Sequence, residues 1–289
     1  METRGFFGDG EGVSSCGRQQ GRYEWAVRPP RPARFAGNVI VNEGIVVRSE
    51  AQVGHIRIER PEKKNALTTA MYDDMADALE WIAEDKAIRV VLISGGADFT
   101  AGNDLQDFIV ATTSGRSFED LPVLRFIGRL RDHPKPVIAA VRGHAIGIGT
   151  TMLLHCDAVV AASDARFRLP FVPLGLVPEA GSSLLLPLAV GAMRANWLLM
   201  SGEYFYADDA REMGLVTRVV EDEAVDSTAK EMAGTLAVMP PLALQETKRL
   251  LRSTFAQQVA VQMEEEARVF SNRLQSQEFR DAALKLLSR

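Results

Sequence analysis

The stretch Val137-Ile-Ala-Ala-Val-Arg-Gly-His-Ala-Ile-Gly-Ile-Gly149, followed by Asp157-Ala-Val-Val-Ala-Ala162, decides the fold class. Each segment contains a short run of small and branched apolar residues, which is typical of a strand buried on both faces. A glycine-rich turn and a short helix lie between the two runs. Further upstream, a helical pattern at residues 68–82 leads into another apolar strand at residues 89–94. This alternation of strands and helices predicts an α/β fold.

The composition is that of a globular protein and excludes two classes of function. The chain has 289 residues, of which 46% are hydrophobic and 25% are charged. A net charge of −5 provides no basic excess for phosphate backbones, so we expect no nucleic-acid partner. The longest apolar runs are far shorter than a membrane span, so we expect no membrane partner. The positions of Cys16 and Cys156 do not suggest a disulfide, which favours a cytoplasmic location.

Three regions are expected along the chain. Residues 1–40 are rich in glycine and arginine and lack an apolar period, so we expect a disordered or non-core extension. An equally favoured alternative is that these residues lie upstream of the protein's true start. A transit peptide is the weaker interpretation, because acidic residues interrupt the arginines. Residues 41–215 are expected to form the α/β core. Residues 216–289 are expected to form a helical region, which in such proteins often serves as a lid or an oligomer contact.

Two glycine-containing turns follow strands and can present backbone N–H groups to a ligand. The segment Gly143 to Gly149 has the spacing G-x-x-x-G-x-G, which is not the fingerprint of a dinucleotide site. In Ala101-Gly-Asn-Asp-Leu105, Gly102 lets the backbone approach a ligand closely. Two such turns that meet at one carbonyl oxygen would form an oxyanion hole. Each turn taken alone is more often a plain turn.

Glu179 lies in the uncharged segment Phe171-Val-Pro-Leu-Gly-Leu-Val-Pro-Glu-Ala-Gly-Ser-Ser183. A carboxylate near a helix N-terminus is stabilised there by the helix dipole, which is a structural interpretation. The apolar flanks would instead desolvate the carboxylate and raise its pKa, as a general base needs. The residues alone leave both interpretations open. Ser182 and Ser183 lack the G-x-S-x-G pattern of a nucleophile and are expected to cap the following helix.

No metal site is indicated by the sequence. His144, His155 and Asp157 lie close together, but their spacing matches no usual ligand pattern. We therefore expect no metal and no permanently bound cofactor.

Six ordered motifs lie between about Asn42 and the C-terminus. They are Arg60-Pro-Glu-Lys-Lys-Asn-Ala-Leu67, Phe99-Thr-Ala-Gly-Asn-Asp-Leu105, residues 135–149, Cys156-Asp157, Leu174-Gly-Leu-Val-Pro-Glu-Ala-Gly181 and Ala210-Arg-Glu-Met-Gly-Leu-Val216. With these motifs the chain resembles the crotonase superfamily, the enoyl-CoA hydratases and isomerases. The resemblance implies a spiral of ββα units with a C-terminal helical trimerisation region, and a homotrimer or hexamer. It implies an acyl-CoA substrate, with CoA as part of the substrate.

The resemblance also implies which residues hold the substrate. The thioester oxygen would accept hydrogen bonds from the backbone N–H groups of Asn103 and Ile148. The other residues expected along the CoA ester are Lys63, Lys64, Asn65, Ala66, Ala101, Gly102, Asp104, Leu105, Gly147 and Gly149. The candidates for the acyl pocket are Phe108, Leu121, Leu124, Phe126 and Phe171.

Two departures from the hydratase pattern indicate the reaction. The glutamates that hydratases use to add water fall at Thr151 and Phe171 here, so hydration is expected to be weak or absent. Glu179 falls where the single-glutamate Δ3,Δ2-enoyl-CoA isomerases place their catalytic base, in the setting Pro178-Glu-Ala-Gly-Ser-Ser183. The expected reaction moves a double bond from C3 to C2 through a dienolate. A different crotonase-family reaction, hydratase-like, and a non-catalytic CoA-binding homologue remain the alternatives.

Overall fold

The computed structural model describes residues 39–42, 44–113 and 121–287. The extension expected at residues 1–40 lies outside the described residues except for the start of the first strand. The side chain of Phe108, a candidate for the acyl pocket, also lies outside them.

Strands and helices alternate through most of the described chain, as the sequence predicts. The strands are β1 (Val39–Asn42), β2 (Ile45–Glu50), β3 (Val53–Ile58), β4 (Val90–Ser94), β5 (Val137–Val141), β6 (His144–Ile146), β7 (Ala158–Ala162), β8 (Arg166–Arg168), β9 (Tyr204–Tyr206) and β10 (Arg218–Val220). The helices are α1 (Thr69–Glu84), α2 (Leu105–Thr113), α3 (Pro122–Arg131), α4 (Ile148–Thr151), α5 (Ser182–Val190), α6 (Ala192–Ser201), α7 (Ala207–Glu212), α8 (Val225–Ala237), α9 (Pro241–Ser253), α10 (Ala256–Leu274) and α11 (Gln277–Leu287). Short 3-10 helices cover Pro61–Lys63, Met152–His155, Val172–Leu174 and Asp222–Ala224.

The larger sheet is mostly parallel. Among the described residues its seven strands follow the order β1-β2-β3-β4-β5-β7-β10, and a smaller sheet has the order β6-β8-β9. The pairs from β3 to β10 are parallel, whereas β1, β2 and β3 pair antiparallel. Every residue of β4 and β5 is buried, because packed elements cover both faces of a parallel sheet. The predicted α/β class is confirmed.

Helix α1 shows how the sequence determines one element. The Thr68 hydroxyl accepts a hydrogen bond from the Met71 N–H at 3.3 Å, so Thr68 is the N-cap. At the other end, the Lys135 ammonium donates to the carbonyls of Ile82 and Asp85, which satisfies carbonyls near the helix C-terminus. The predicted apolar face is buried and consists of Met71, Met75, Ala78, Leu79 and Ile82.

The sheet crosses the boundary expected between residues 41–215 and 216–289. β10 lies at residues 218–220 and pairs with β7, and α8 packs against β4, β5 and β7. The structure thus extends the α/β core through α8. The sequence placed the boundary earlier because β10 is only three residues long and shows no periodic pattern. The expected helical region ends in two helices, α10 and α11.

Asp157 links β5, β7 and α9 through hydrogen bonds and ion pairs. Its N–H donates to the Val137 carbonyl at 2.7 Å, and its Oδ2 accepts from the Val137 N–H at 2.7 Å. The buried Lys248 ammonium donates to Asp157 Oδ2 and to the Lys135 carbonyl, each at 2.7 Å. Arg252 donates to Asp157 Oδ1 at 2.8 Å. Burial lowers the pKa of Lys248, and the negative charge of Asp157 opposes that effect.

We predict that Asp157→Ala lowers the free energy of unfolding by about 3 kcal/mol, because it leaves the Lys248 ammonium buried without its counter-charge. Urea unfolding measures the change. Arg249→Gln is the matched control, since Arg249 lies on the same helix and pairs with Glu246 at the surface. Equal unfolding midpoints for the two variants would contradict the prediction.

Candidate active site

A cavity of about 780 Å³ is formed by the two glycine-containing turns, the loop that carries Glu179, and α10 and α11. The expected site residues that line it are Lys64, Ala101, Gly102, Asn103, Leu105, Gly147, Ile148 and Glu179. The expected site residues that lie outside its lining are Lys63, Asn65, Ala66, Asp104 and Gly149. The roles of both groups in binding stay predictions.

The two glycine-containing turns lie side by side in the cavity wall. The Thr100 N–H donates to the His144 carbonyl at 2.8 Å, and the Ile146 N–H donates to the Thr100 carbonyl at 3.0 Å. Gly102 has a φ of 92°, and a Cβ there would lie 2.8 Å from the Ile146 carbonyl oxygen. Glycine is therefore required where the turns meet.

The backbone N–H groups of Asn103, in the first turn, and Ile148, in the second, donate to no acceptor among the described residues. Leu67 donates to the Gly102 carbonyl and accepts from the Asp104 N–H, each at 2.8 Å. Because successive peptide groups point in opposite directions along an extended segment, the N–H of Asn103 faces away from Leu67. Ile148 is the first residue of α4, where the N–H has no partner within the helix. That this pair forms an oxyanion hole stays a prediction.

Two of the expected CoA-contacting residues hold the first turn in shape. The buried Asn65 side chain accepts from the Arg60 N–H at 2.7 Å and donates to the Asp98 carbonyl at 2.6 Å. The Asp104 carboxylate pairs with the Arg60 guanidinium at 2.8 Å. Burial acts to raise the pKa of Asp104, but the hydrogen bond and charge of Arg60 lower it overall.

Glu179 lines the same cavity, and its carboxyl is held by a hydroxyl. The Thr151 hydroxyl donates to Glu179 Oε1 at 2.5 Å. Burial raises the pKa of Glu179 to about 8, the Thr151 hydrogen bond opposes this rise, and the negative charge of Glu266 adds to it. The apolar flanks predicted this direction. A carboxyl with such a pKa can take up a proton near neutral pH and return it.

The backbone that follows Glu179 is held in an unusual conformation. Ala180 and Gly181 have φ values of 59° and 72°, and the left-handed region is costly for alanine. Nε2 of His155 lies 2.7 Å from the Ala180 carbonyl oxygen, so this nitrogen carries the proton and donates. Burial lowers the pKa of His155 to about 4, which keeps the ring neutral at neutral pH. A buried neutral imidazole therefore supports the turn.

The expectation that the serines cap α5 is wrong. The N-cap is Gly181, which has no side chain that could accept a hydrogen bond from the helix. Glu266 of α10 accepts instead, from the Gly181 N–H at 2.6 Å and from the Ser183 N–H at 2.8 Å. A carboxylate from a distant helix thus satisfies the donors that a local hydroxyl would otherwise have met.

Several cavity residues were missed by the sequence analysis. Arg168 lies 4.8 Å from the ring centroid of Tyr204 and donates through Nε to the Gly202 carbonyl at 2.6 Å. His144, considered earlier as a metal ligand, contacts Asp98 Oδ1 through Nδ1 at 2.6 Å. The missed residues include His144, Arg168, Leu174, Leu176, Tyr204, Phe270, Phe279, Asp281 and Lys285. Of the acyl-pocket candidates, Phe171 lines the cavity and Leu121, Leu124 and Phe126 do not.

Two kinds of feature are absent from the described part of the chain. No group of three or more His, Cys, Asp or Glu side chains there is arranged to hold a metal ion. No helix there combines the length and the apolar character that crossing a bilayer requires.

Comparison with known proteins relates this site to acyl-CoA enzymes. The family model described as enoyl-CoA hydratase/isomerase matches residues 48–287. The 1,2-epoxyphenylacetyl-CoA isomerase of Escherichia coli K12 is 37% identical over 216 residues, which are 73% of this chain and 82% of that protein. Enoyl-CoA delta isomerase 2 of Homo sapiens is 35% identical over 86% of this chain, which spans 64% of the human protein's length. The 2,3-dehydroadipyl-CoA hydratase of E. coli K12 is 36% identical over 75% of this chain and 84% of that protein.

Solved structures agree with the sequence comparison. OdaA of Pseudomonas aeruginosa is 44% identical, with a TM-score of 0.83 over 86% of this chain and 100% of that chain. An enoyl-CoA hydratase/isomerase of Pseudoalteromonas atlantica is 42% identical, with a TM-score of 0.80 over 85% of this chain and 97% of that chain. The chain therefore belongs to the enoyl-CoA hydratase/isomerase family, within the crotonase superfamily that its motifs resemble.

Proposed function

We propose that this protein is a Δ3,Δ2-enoyl-CoA isomerase with Glu179 as its single catalytic base. The observation that carries the proposal is the environment of Glu179, a carboxyl whose pKa is raised to about 8 in the wall of the cavity. The positions of the two hydratase glutamates hold Thr151 and Phe171. Relatives named as isomerases support the proposal, while relatives named as hydratases show that the family alone does not decide the reaction.

The proposed reaction needs one group that moves one proton twice. Ionised Glu179 takes the proton from C2 of a 3-enoyl-CoA, and the electron pair moves onto the thioester oxygen to give a dienolate. The N–H groups of Asn103 and Ile148 would hold that oxygen, and one such donor is worth about 3 kcal/mol in acyl chemistry. The Glu179 carboxyl then returns the proton to C4, and the double bond lies between C2 and C3.

The lining of the cavity supports a CoA ester of an apolar acyl group as the substrate. Phe171, Leu174 and Leu176 offer apolar surface to an acyl chain. Lys64 lies at the same cavity and would meet the negative charge of CoA phosphates. CoA would enter and leave as part of the substrate, so no bound cofactor is needed.

The aromatic side chains in the cavity favour a second candidate, a proton-transfer isomerisation of an aromatic acyl-CoA. The aromatic residues are Phe171, Tyr204, Phe270 and Phe279. The E. coli relative named 1,2-epoxyphenylacetyl-CoA isomerase adds to this support. A panel of straight-chain and arylacetyl-CoA esters separates the two candidates, because preferential turnover of the aromatic esters would favour the second.

A cytoplasmic location is part of the proposal. Cys156 is a free thiol, and burial raises its pKa to about 12, so it is a poor nucleophile for disulfide exchange. Such a thiol is compatible with a reducing compartment.

We predict a homotrimer or a hexamer in solution, because large apolar side chains are exposed on α6, α9 and α10. They include Met193, Trp197, Met200, Leu242, Leu250, Leu251 and Val261. Sedimentation equilibrium of the purified protein measures the assembly. A monomer across micromolar concentrations would refute the prediction.

We predict that Glu179→Gln lowers kcat for a 3-enoyl-CoA by at least about 100-fold, because the amide cannot accept the C2 proton. Formation of the conjugated thioester is followed by its absorbance, beside a crotonyl-CoA hydration assay on the same preparation, in which we expect little or no turnover. Glu223→Gln, a change at an exposed carboxylate, is the control and should leave kcat unchanged. Near-wild-type isomerisation by Glu179→Gln would refute the assignment of the base.

We predict that kcat/KM rises with pH and levels off above about pH 8, because Glu179 must be ionised to act as the base. Below that pH the rate should fall about tenfold per unit. Thr151→Val removes the hydrogen bond that lowers the pKa of Glu179, so the rising limb should move to higher pH by about one unit. Thr235→Val, on the exposed face of α8, is the control. A limb that stays in place in Thr151→Val would contradict this account of the site.

A further inference from the structure

Glu266 is a buried carboxylate on α10 whose hydrogen bonds all reach the segment that follows Glu179. Only 5% of the Glu266 surface is exposed to solvent. Oε2 accepts from the Gly181 N–H at 2.6 Å, and Oε1 accepts from the N–H of Ser183 at 2.8 Å and from its hydroxyl. Gln262 lies about one turn earlier on α10 and donates to the Ser183 hydroxyl at 2.8 Å. Helix α10 thus supplies the cap that α5 lacks in its own sequence.

These contacts fit the ionised form of Glu266. Every partner donates an N–H or an O–H, and a carboxylate can accept all of these bonds at once. Burial raises the pKa of Glu266, and the hydrogen bonds from Ser183 and Gly181 oppose that rise. A buried carboxylate is a costly way to cap a helix, since a local serine or aspartate would suffice at the surface. A role beyond capping would account for that cost.

Glu266 contacts the backbone only two residues after Glu179, so it can fix the position of the Glu179 loop. Gly181 is two residues after Glu179, and the Glu179 carbonyl accepts from the Ser182 N–H at 3.1 Å. His155 holds the carbonyl of Ala180 from the other side. The loop that carries Glu179 is therefore fixed at consecutive residues by one neutral and one charged buried side chain.

Titratable groups lie near Glu179 on several elements, and the negative charge of Glu266 is one that raises the pKa of Glu179. His155 is neutral near pH 7, and burial raises the pKa of Tyr72 well above its usual value, so that side chain is neutral too. From α3, Arg131 contacts Met263 and pairs with Asp132. On α10, Arg273 donates to the Gly175 carbonyl and pairs with Glu278. On α11, Asp281 and Lys285 line the same cavity as Glu179.

We propose that Glu266 is a positioning residue for the reaction, which holds the loop that carries Glu179 in place and sets a second buried carboxylate against the backbone two residues after the base. The inference rests on the proposed function, because it takes Glu179 as the base. Glu266 does not line the cavity and acts through the loop.

Glu266→Gln tests both parts of the proposal. We expect kcat to fall between about 10- and 100-fold with KM within about twofold of the wild type, because a loosened loop misplaces the base. Loss of the negative charge should also move the rising limb of the pH profile to lower pH. Glu266→Asp keeps the negative charge but moves the carboxylate oxygens away from the N–H groups of Gly181 and Ser183. We therefore expect kcat to fall while the rising limb of the pH profile stays in place. Glu265→Gln is the matched control, since Glu265 is an exposed neighbour on α10 that pairs with Arg268.

The titration of Glu179 in the free enzyme separates this inference from the proposed function. Carbon-13 labelling of the glutamate carboxyls, with Glu179→Gln to assign the signal, measures that pKa without substrate. A wild type without isomerase activity would refute the proposed reaction, while a lower pKa of Glu179 in Glu266→Gln would still support the link between the two carboxyls. Wild-type kcat and an unchanged Glu179 titration in Glu266→Gln would overturn the inference. If Glu266→Gln does not fold, Glu266→Asp decides, because wild-type kcat in that variant would overturn the positioning role.

Discussion

The parallel pairing of β4 with β5 is the constraint on which the rest of the structure depends. Parallel strands end at the same edge of a sheet, so the segments that leave β4 and β5 emerge side by side. Thr100 then joins the two turns by hydrogen bonds in both directions with His144 and Ile146. Gly102 allows their close approach, and two unpaired N–H groups lie in one cavity wall as a result. The cavity, the candidate oxyanion hole and the placement of α4 all follow from this arrangement.

The region around Glu179 balances two opposing requirements. Burial makes the carboxyl a stronger base, yet an unsolvated carboxylate with no donor would hardly ionise at all. The Thr151 hydroxyl donates to one oxygen of the carboxyl and limits the rise in its pKa. The second oxygen accepts no hydrogen bond from the residues that the structure describes. The strained backbone at Ala180 is held by His155, whose own burial keeps it uncharged. The Thr151 hydroxyl therefore has a structural role of its own.

Much of the fold and part of the site could be predicted from the sequence, because their signals are local. Apolar runs marked the buried strands, and a helical pattern at residues 68–82 marked α1. The uncharged flanks favoured a raised pKa for Glu179, but the residues alone did not decide between its two interpretations. The cap supplied by Glu266 could not be predicted, since a glutamate in a charged helix gives no sign of a distant partner. Phe270 and Phe279 lie on the amphipathic helices α10 and α11, and only tertiary packing brings them to the cavity.

The bond between Glu266 and Gly181 joins positions 85 residues apart. Contacts of such separation carry a high loop-closure entropy and tend to form after local structure. A chain leaving the ribosome can pair its central strands while the loop with Glu179 still lacks the acceptor that fixes it. The geometry of that loop is thus expected among the last features to form, after the C-terminal helices have docked.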